Sequence, residues 1–508
     1  MSNNRDVEAA WKYHDATKHS YTSVRANAHT LDWSNLPRPF KVYPTLEVTR
    51  LPRETPEIGV AALSALASAK VSAKQAVPDQ EVLARLLFLS AGITKSKRYP
   101  GGETFFRAAA CTGALYEIEL YIVCGDLPGL AAGVYHFGVA EFGLRQLRAG
   151  DYRPVVAAAT GNESSIVHAP LTVICTGTYW RNAWKYQART YRHFGWDNGT
   201  ILANMLAVAT ALGLPATVIC GFVDEELNRL LDLDRQREVA FSLVPIGYAK
   251  STPLERPPEL SPLGLPLIPL SKTEVDYPSM REMHAASSLT SSKEVIAWRG
   301  KGRKEKRAEP KEKLISLDLP KDGELPKDPI EQVILRRGST RQFAQKPISL
   351  PQLSAMLDRS TRGIPADFVN PPGSQLNDMY LIVNAVEGLG SGAYFYHREK
   401  RALELLRHGN LRKVAGHLGL EQQLPADASV AVFFLADLHK ILERFGNRGY
   451  RAVQLEAGIL GGKLYVSAYA QHLGASGLTF YDDDVVRFFS PHAEGKSAIF
   501  LVALGKSV

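Results

Sequence analysis

Glu119-Leu-Tyr-Ile-Val123 reads as a short apolar strand, and Asp378-Met-Tyr-Leu-Ile382 reads as the same strand again, 259 positions later. The same displacement carries Gly133-Val-Tyr135 onto Gly392-Ala-Tyr394, Leu147-Arg148 onto Leu406-Arg407, Gly150 onto Gly409 and Arg153 onto Arg412. Further along it carries Tyr191-Arg192 onto Tyr450-Arg451, Gly199 onto Gly458, Ala209 onto Ala468 and Asp224 onto Asp483. Near the end it becomes 258, carrying Leu243 and Gly247 onto Leu501 and Gly505. A displacement held this long marks two copies of one domain, 58–250 and 328–508, each too large to be a solenoid unit.

The short apolar runs ELYIVC, LTVICTG, ATVICGF and FSLVPIG predict strands, while Val82 to Ser90 and Ile201 to Leu212 predict helices. The expected class is α+β, two like domains packed as an intramolecular pseudo-dimer. The uncharged helix at Ile201–Leu212 and its partner at Ile459–Tyr469 have too few polar positions to face water, so they should bury each other. Residues 1–57 lie outside the repeat and are expected as an extended N-terminal arm over the body. Residues 251–327 hold ten of the thirty prolines and are expected as a poorly packed, basic linker.

At 508 residues, 45% hydrophobic and 22% charged, the chain has an ordinary globular composition, which excludes wholesale disorder. Its net charge of +8 invites a nucleic-acid partner, but Arg299 to Lys313 alone supplies eight Lys/Arg against three Glu. Such a run is usually a solvated tether, and no specific nucleic-acid binding is expected. The four cysteines, Cys111, Cys124, Cys175 and Cys220, have no C-x-x-C spacing and read as reduced thiols of a cytoplasmic protein. The N-terminus shows no apolar h-region, so no signal peptide is expected. Asn198 to Val223 carries no charge, but Gly213-Leu-Pro215 breaks it, so it is expected as a buried helix, a turn and a strand rather than a membrane span.

No dinucleotide fingerprint, Walker loop, H-E-x-x-H or EF-hand is present, and the thirteen histidines lack ligand spacing, so no metal site is expected. What remains is Arg336-Arg-Gly-Ser-Thr-Arg-Gln-Phe343, with Arg337, Ser339 and Arg341 at alternate positions. Two guanidiniums and a hydroxyl in one turn are suited to a phosphate.

This segment resembles the R-x-S-x-R-x-F loop of the nitroreductase-like flavin enzymes. Four further runs are similar to their SagB-type branch, the thiazoline/oxazoline dehydrogenase-like proteins. They are Cys111-Thr-Gly-Ala-Leu-Tyr-Glu-Ile-Glu-Leu-Tyr-Ile-Val123, Gly133-Val-Tyr-His-Phe137, Trp184-Lys-Tyr186 with Tyr191-Arg192, and Cys220-Gly-Phe-Val-Asp-Glu-Glu-Leu-Asn-Arg-Leu-Leu-Asp-Leu233. The resemblance covers most of both copies. It implies FMN at the interface between copies, with Arg337, Ser339, Arg341 and Lys506 on its phosphate. The weaker loop of the first copy would offer Ser68 and Lys70, with Leu66 replacing the first arginine.

By the same resemblance, the clamp Cys111, Thr112, Gly113 and Ala114 completes the site anchored on the second copy, and Pro372 and Ser374 complete the other. In the site anchored on the first copy, Cys220, Gly221 and Phe222 would approach the flavin ring, the glycine turning its N–H toward N5, where the second copy has Thr479-Phe480-Tyr481. Hydride transfer at N5 also needs a proton acceptor, and Lys185 or Tyr186 with a lowered pKa would serve; the other copy has Arg444 and Phe445 there. The site on the second copy has the stronger phosphate loop and is favoured over its counterpart, with two flavins left open.

The expected function is an FMN-dependent oxidoreductase acting on azoline, nitro or quinone substrates. The alternative is a catalytically degenerate flavin-binding scaffold in a peptide-modifying complex. Small-molecule or peptide partners are expected and a membrane is not, in a monomer or a dimer of chains.

Overall fold

A computed structural model describes residues 3–54, 56–67, 75–99, 102–250, 256–300, 310, 313–369 and 374–508. Each copy is an antiparallel sheet covered by helices, and one continuous apolar core runs through both. The first sheet contains β1 (Thr49–Arg50), β2 (Ile118–Cys124), β3 (Gly133–Gly138), β4 (Gly143–Ala149), β5 (Leu171–Thr178) and β6 (Glu238–Ile246). Its spatial order is β1-β4-β3-β2-β5-β6. The second contains β7 (Leu314–Ser316), β8 (Asp378–Val383), β9 (Gly392–His397), β10 (Ala402–His408), β11 (Val430–Ala436), β12 (Gly474–Leu478) and β13 (Ser497–Gly505), ordered β12-β13-β11-β8-β9-β10-β7. Six strands of each sheet correspond in order, and the domain strands also in register: Leu243 pairs with Ile174 as Leu501 pairs with Phe433. The central strands are buried along their whole length, which is why ELYIVC and LTVICTG are nearly continuous apolar runs.

The helices that join the copies are α1 (Glu8–Ala16), α2 (Tyr21–Ala26), α3 (Thr190–Ala211), α4 (Pro278–Ala286), α5 (Ser292–Arg299) and α6 (Arg448–Ala470). The long pair α3 and α6 cross at glycines. A Cβ on Gly199 would lie 2.5 Å from the Gly458 backbone, and one on Gly458 would lie 2.6 Å from the carbonyl oxygens of Gly195 and Trp196. No larger residue fits either position without moving backbone, so the duplicated glycine of the sequence marks the pseudo-twofold contact.

Around that contact the halves exchange buried ion pairs. Arg448 and Arg451 reach Asp224 at 2.6 and 2.7 Å, and Arg189 and Arg192 reach Asp482 at 3.1 and 2.6 Å. The partner of Asp224 is therefore Asp482, one residue before the Asp483 that the sequence displacement selected. Asp483 is exposed and pairs with Lys18.

The arm and the linker also correspond. Arg192 Nη2 donates to the His14 carbonyl and Nε to Thr17 Oγ1, while Arg451 Nη2 donates to the His284 carbonyl and Nε to Ser287 Oγ. β1 pairs with β4 as β7 pairs with β10. Where described, the expected extended arm and poorly packed linker are instead one repeated element: α1 and α4 each lie under the arginines of the copy they precede, and Met280, Met283, Val295 and Trp298 are buried, while most of the basic run 299–313 lies outside the described residues. The sequences diverged too far for a fixed displacement to find them. ATVICGF also departs from expectation, forming isolated bridges at Ala216, Val218 and Ile219 rather than a strand. Its amides are shared between the first sheet and residues 365–367 of the second copy. No described helix is long and apolar enough to cross a membrane.

Candidate functional site

The clamp is held from below by an acid on α3. Thr112 N–H donates to both Asp197 oxygens at 2.9 and 3.0 Å, and its hydroxyl donates to Oδ1 at 2.9 Å. Gly113 has φ +63°, and a Cβ there would stand 2.8 Å from the Tyr186 hydroxyl, so glycine is required both by conformation and by space. Cys111 Sγ lies 3.3 Å from Asp197 and 3.5 Å from Glu117. Burial first, then those two carboxyl groups, push its thiol well up, so Cys111 stays protonated rather than serving as a nucleophile. Burial and then Glu117 likewise push Asp197 well above the carboxylate range. The second copy repeats the device: Glu456 on α6 accepts the N–H groups of Leu376 and Asn377 at 3.0 and 2.7 Å, just past the half-buried Ser374.

The phosphate-type loop follows the helix Ile330–Arg336 and is fixed from three sides. Thr340 N–H donates to the Ala475 carbonyl, Thr340 Oγ1 lies 3.0 Å from Ser507 Oγ, and Ala344 N–H donates to the Lys506 carbonyl. The Lys506 backbone thus runs beside the loop. Arg337 is directed inward: Nε donates to the Ala108 carbonyl at 2.9 Å and Nη2 to Arg107 at 2.7 Å, tying the loop to the stretch just before the clamp. Ser339 Oγ lies 3.2 Å from the Tyr465 hydroxyl. Arg341 is exposed and forms no ion pair among the described residues.

Lys185 and Tyr186 end the helix Tyr179–Tyr186 and reach this loop from the opposite copy. Desolvation, then the Arg341 charge, lower the Lys185 pKa. Lys95 donates to the Arg336 and Arg337 carbonyls at 3.2 Å, and burial, then Arg337, lower it too. Cations gathered this way, Arg341 acting on Lys185 and Arg337 on Lys95, form an anion-binding arrangement whose donor set fits a phosphate monoester. Tyr186 departs from expectation: burial, then Asp197, Cys111 and Glu117, raise its pKa, so its hydroxyl keeps its proton and cannot be the base.

The ring-facing residues of the first copy are also placed differently. Cys220 and Gly221 turn their N–H groups onto the Asp367 carboxylate at 2.9 and 2.8 Å, instead of leaving the Gly221 N–H open to a ring. Burial raises Asp367 to about 6 against these two bonds. Cys220, Gly221 and Phe222 are all buried. Ser68, Lys70 and Pro372 lie outside the described residues. The structure therefore places Arg337, Ser339 and Arg341 in one loop tied to the stretch before the clamp, with Arg341 near Lys185 and Tyr186 and the Lys506 backbone alongside. It sets Cys220–Phe222 apart from them.

Sequence reading missed Asp197, Asp367, Glu456 and Trp298. The single acid of α3, just before its uncharged run, was a usable signal for Asp197. Asp367 and Trp298 gain their roles only through contacts between segments that are distant in sequence.

The Nitroreductase family model matches residues 73–248 and again 334–506. The chain is 26% identical over 165 residues to MJ1384 of Methanocaldococcus jannaschii, assigned as a nitroreductase, covering 32% of this chain and 78% of that one. It is 29% identical over 171 residues to the trifolitoxin-processing protein TfxB of Rhizobium leguminosarum bv. trifolii, covering 32% of this chain and 45% of TfxB, a likeness that supports the SagB-type branch. A crystal structure assigned as a nitroreductase from Anabaena variabilis superposes with a TM-score of 0.80 at 25% identity, over 98% of this chain and 99% of that one. Two matches to one family model, on two sheets of like order joined about a pseudo-twofold contact, identify the chain as a member of the Nitroreductase family that carries two nitroreductase domains in tandem.

Proposed function

We propose that this chain is an FMN-dependent oxidoreductase whose flavin lies between the copies, anchored on the second. The carrying observation is the loop around Ser339: Arg341, exposed and without an ion pair among the described residues, lies near Lys185 of the other copy. Arg341, Ser339 and Lys506 would hold the phosphate. Arg337 would act indirectly, tying the phosphate loop to the clamp through the Arg107 and Ala108 carbonyls. Gly113 leaves room for the Tyr186 hydroxyl beneath the clamp.

When bound, the flavin supplies hydride transfer at N5. Lys185, with its pKa lowered, is the group able to take a proton from substrate, and Tyr186 is a proton-holding neighbour. Similarity to TfxB, by name a trifolitoxin-processing protein, favours an azoline-bearing peptide over a nitroaromatic or quinone. The alternative, a flavin-binding scaffold without chemistry, is favoured by Phe480, which is fully buried where the ring-facing segment of the second copy lacks a glycine.

FMN titration tests the reading. Arg341→Ala loses a bidentate phosphate partner and should weaken binding by roughly tenfold to a hundredfold, corresponding to ~1.5–3 kcal/mol. Lys70→Ala should have a smaller effect. Equal losses, or a larger loss at Lys70, would move the flavin to the other anchor.

A further inference from the structure

The two pseudo-symmetric flavin positions are built from corresponding elements, and they differ where it matters. α2 and α5 are counterparts: each begins after a serine N-cap, Ser20 and Ser291, whose side chain accepts the N–H three residues on. Beyond that cap, Asn27 corresponds to Trp298. α2 buries none of its residues, and Asn27 donates to the Gln187 side chain at 2.7 Å. α5 buries Trp298, whose Nε1 donates to the Phe445 carbonyl at 2.9 Å and whose ring lies against Gly221. A Cβ at Gly221 would stand 2.9 Å from that indole and 3.0 Å from Asp367 Oδ2. The backbone face that would meet a ring is therefore covered by indole and carboxylate.

The anchor end differs as well. Where the second copy ties its loop through Arg337, the first copy has the buried Leu66. Lys463, buried on α6, gives its three N–H groups to the carbonyls of Leu66, Arg362 and Gly363 at 3.0, 2.6 and 2.8 Å, which leaves it none for a phosphate. Its counterpart at the other position is the uncharged Asn204, bonded to the Leu89 and Ala108 carbonyls.

We infer that the position anchored on the first copy is permanently filled by the chain's own Trp298 and Asp367, so that one chain takes one flavin. This rests on the flavin reading above. It makes the duplication a division of labour: the second copy supplies the anchor, the first supplies the clamp and Lys185, and the linker helix α5 fills the position given up.

Two measurements test it. The first is the FMN released per chain on denaturing the holoprotein, for wild type and Arg341→Ala. One flavin in wild type, lost from the variant, is the expected result. Two flavins, or one that survives Arg341→Ala, would overturn the inference while leaving the flavin reading intact; no flavin and no uptake of added FMN would instead sink that reading.

The second measurement needs no flavin. Hydrogen exchange at the Cys220 and Gly221 amides should be slow in wild type and at least tenfold faster in Trp298→Ala. Exchange in wild type at the rate of a solvent-exposed amide would show an open position and overturn the plug whatever the flavin count.

Discussion

Asp224→Asn keeps the shape of the side chain and removes its charge, which isolates the ion pairs that join the halves. In the native chain Asp224 accepts from Arg448 and Arg451 at 2.6 and 2.7 Å and from the Leu289 N–H at 2.9 Å, with both guanidiniums fully buried. The amide can still accept one bond, but two buried cations then share no counter-charge. Breaking a buried pair this way costs about 3–5 kcal/mol. The assay is the shift of the urea midpoint at unchanged slope, repeated in a double-mutant cycle with Arg451→Met. Asp482→Asn should cost a similar amount, because Arg189 and Arg192 make the equivalent contacts.

The pH dependence follows with a definite sign. Burial alone would raise Asp224, but Arg448 and Arg451 outweigh it and hold the carboxyl below its ordinary value. A depressed pKa stabilises the fold above the unfolded value of about 3.9 and is lost as pH falls through the folded one. The cost of Asp224→Asn should therefore be the same at pH 7 and pH 5 and shrink only below about pH 4. A cost under ~1 kcal/mol at neutral pH, the worth of a solvent-exposed pair, would refute the buried network.

Gly199→Ala should lower stability by about 1–3 kcal/mol through overpacking against the Gly458 backbone, although alanine is the better helix former by about 1 kcal/mol; a raised urea midpoint would contradict the close crossing. Lys185→Ala should keep its flavin and lower kcat by ~10²–10⁴ on a substrate that gives up a proton, and wild-type kcat should rise with pH as Lys185 loses its own. Tyr186→Phe should have a smaller effect on kcat, since its hydroxyl is held protonated; equal losses in the two variants would contradict that assignment.

The strands and the duplicated glycines were legible in the sequence because burial on both faces and a backbone contact each leave a fixed residue-type signature. The repeated arm was not legible. α1 and α4 need only a carbonyl and a hydroxyl at the right places, so the rest of each helix is free to change, and His14-Asp-Ala-Thr17 and His284-Ala-Ala-Ser287 sit 270 positions apart rather than at the displacement of the domains. Within the site, residue types pointed to Arg337, Ser339 and Arg341, and only the family resemblance pointed to Lys506 and the clamp. Sequence could not show that Arg337 turns toward the Arg107 and Ala108 carbonyls, or that the Gly221 N–H is taken by Asp367, because both depend on which distant segment arrives beside them. Tyr186 was misread as a base for a similar reason: its pKa is set by burial and by Asp197, contributed by a helix whose relation to it no spacing rule gives.

The most direct test of the account is the absorption spectrum of the chain purified without added cofactor, followed by addition of FMN. The cations gathered at Ser339 and Arg341, facing the clamp and Lys185 of the other copy, predict the two long-wavelength bands of an oxidised flavin, bleached on reduction. A colourless protein that also leaves added FMN free in solution would contradict the account.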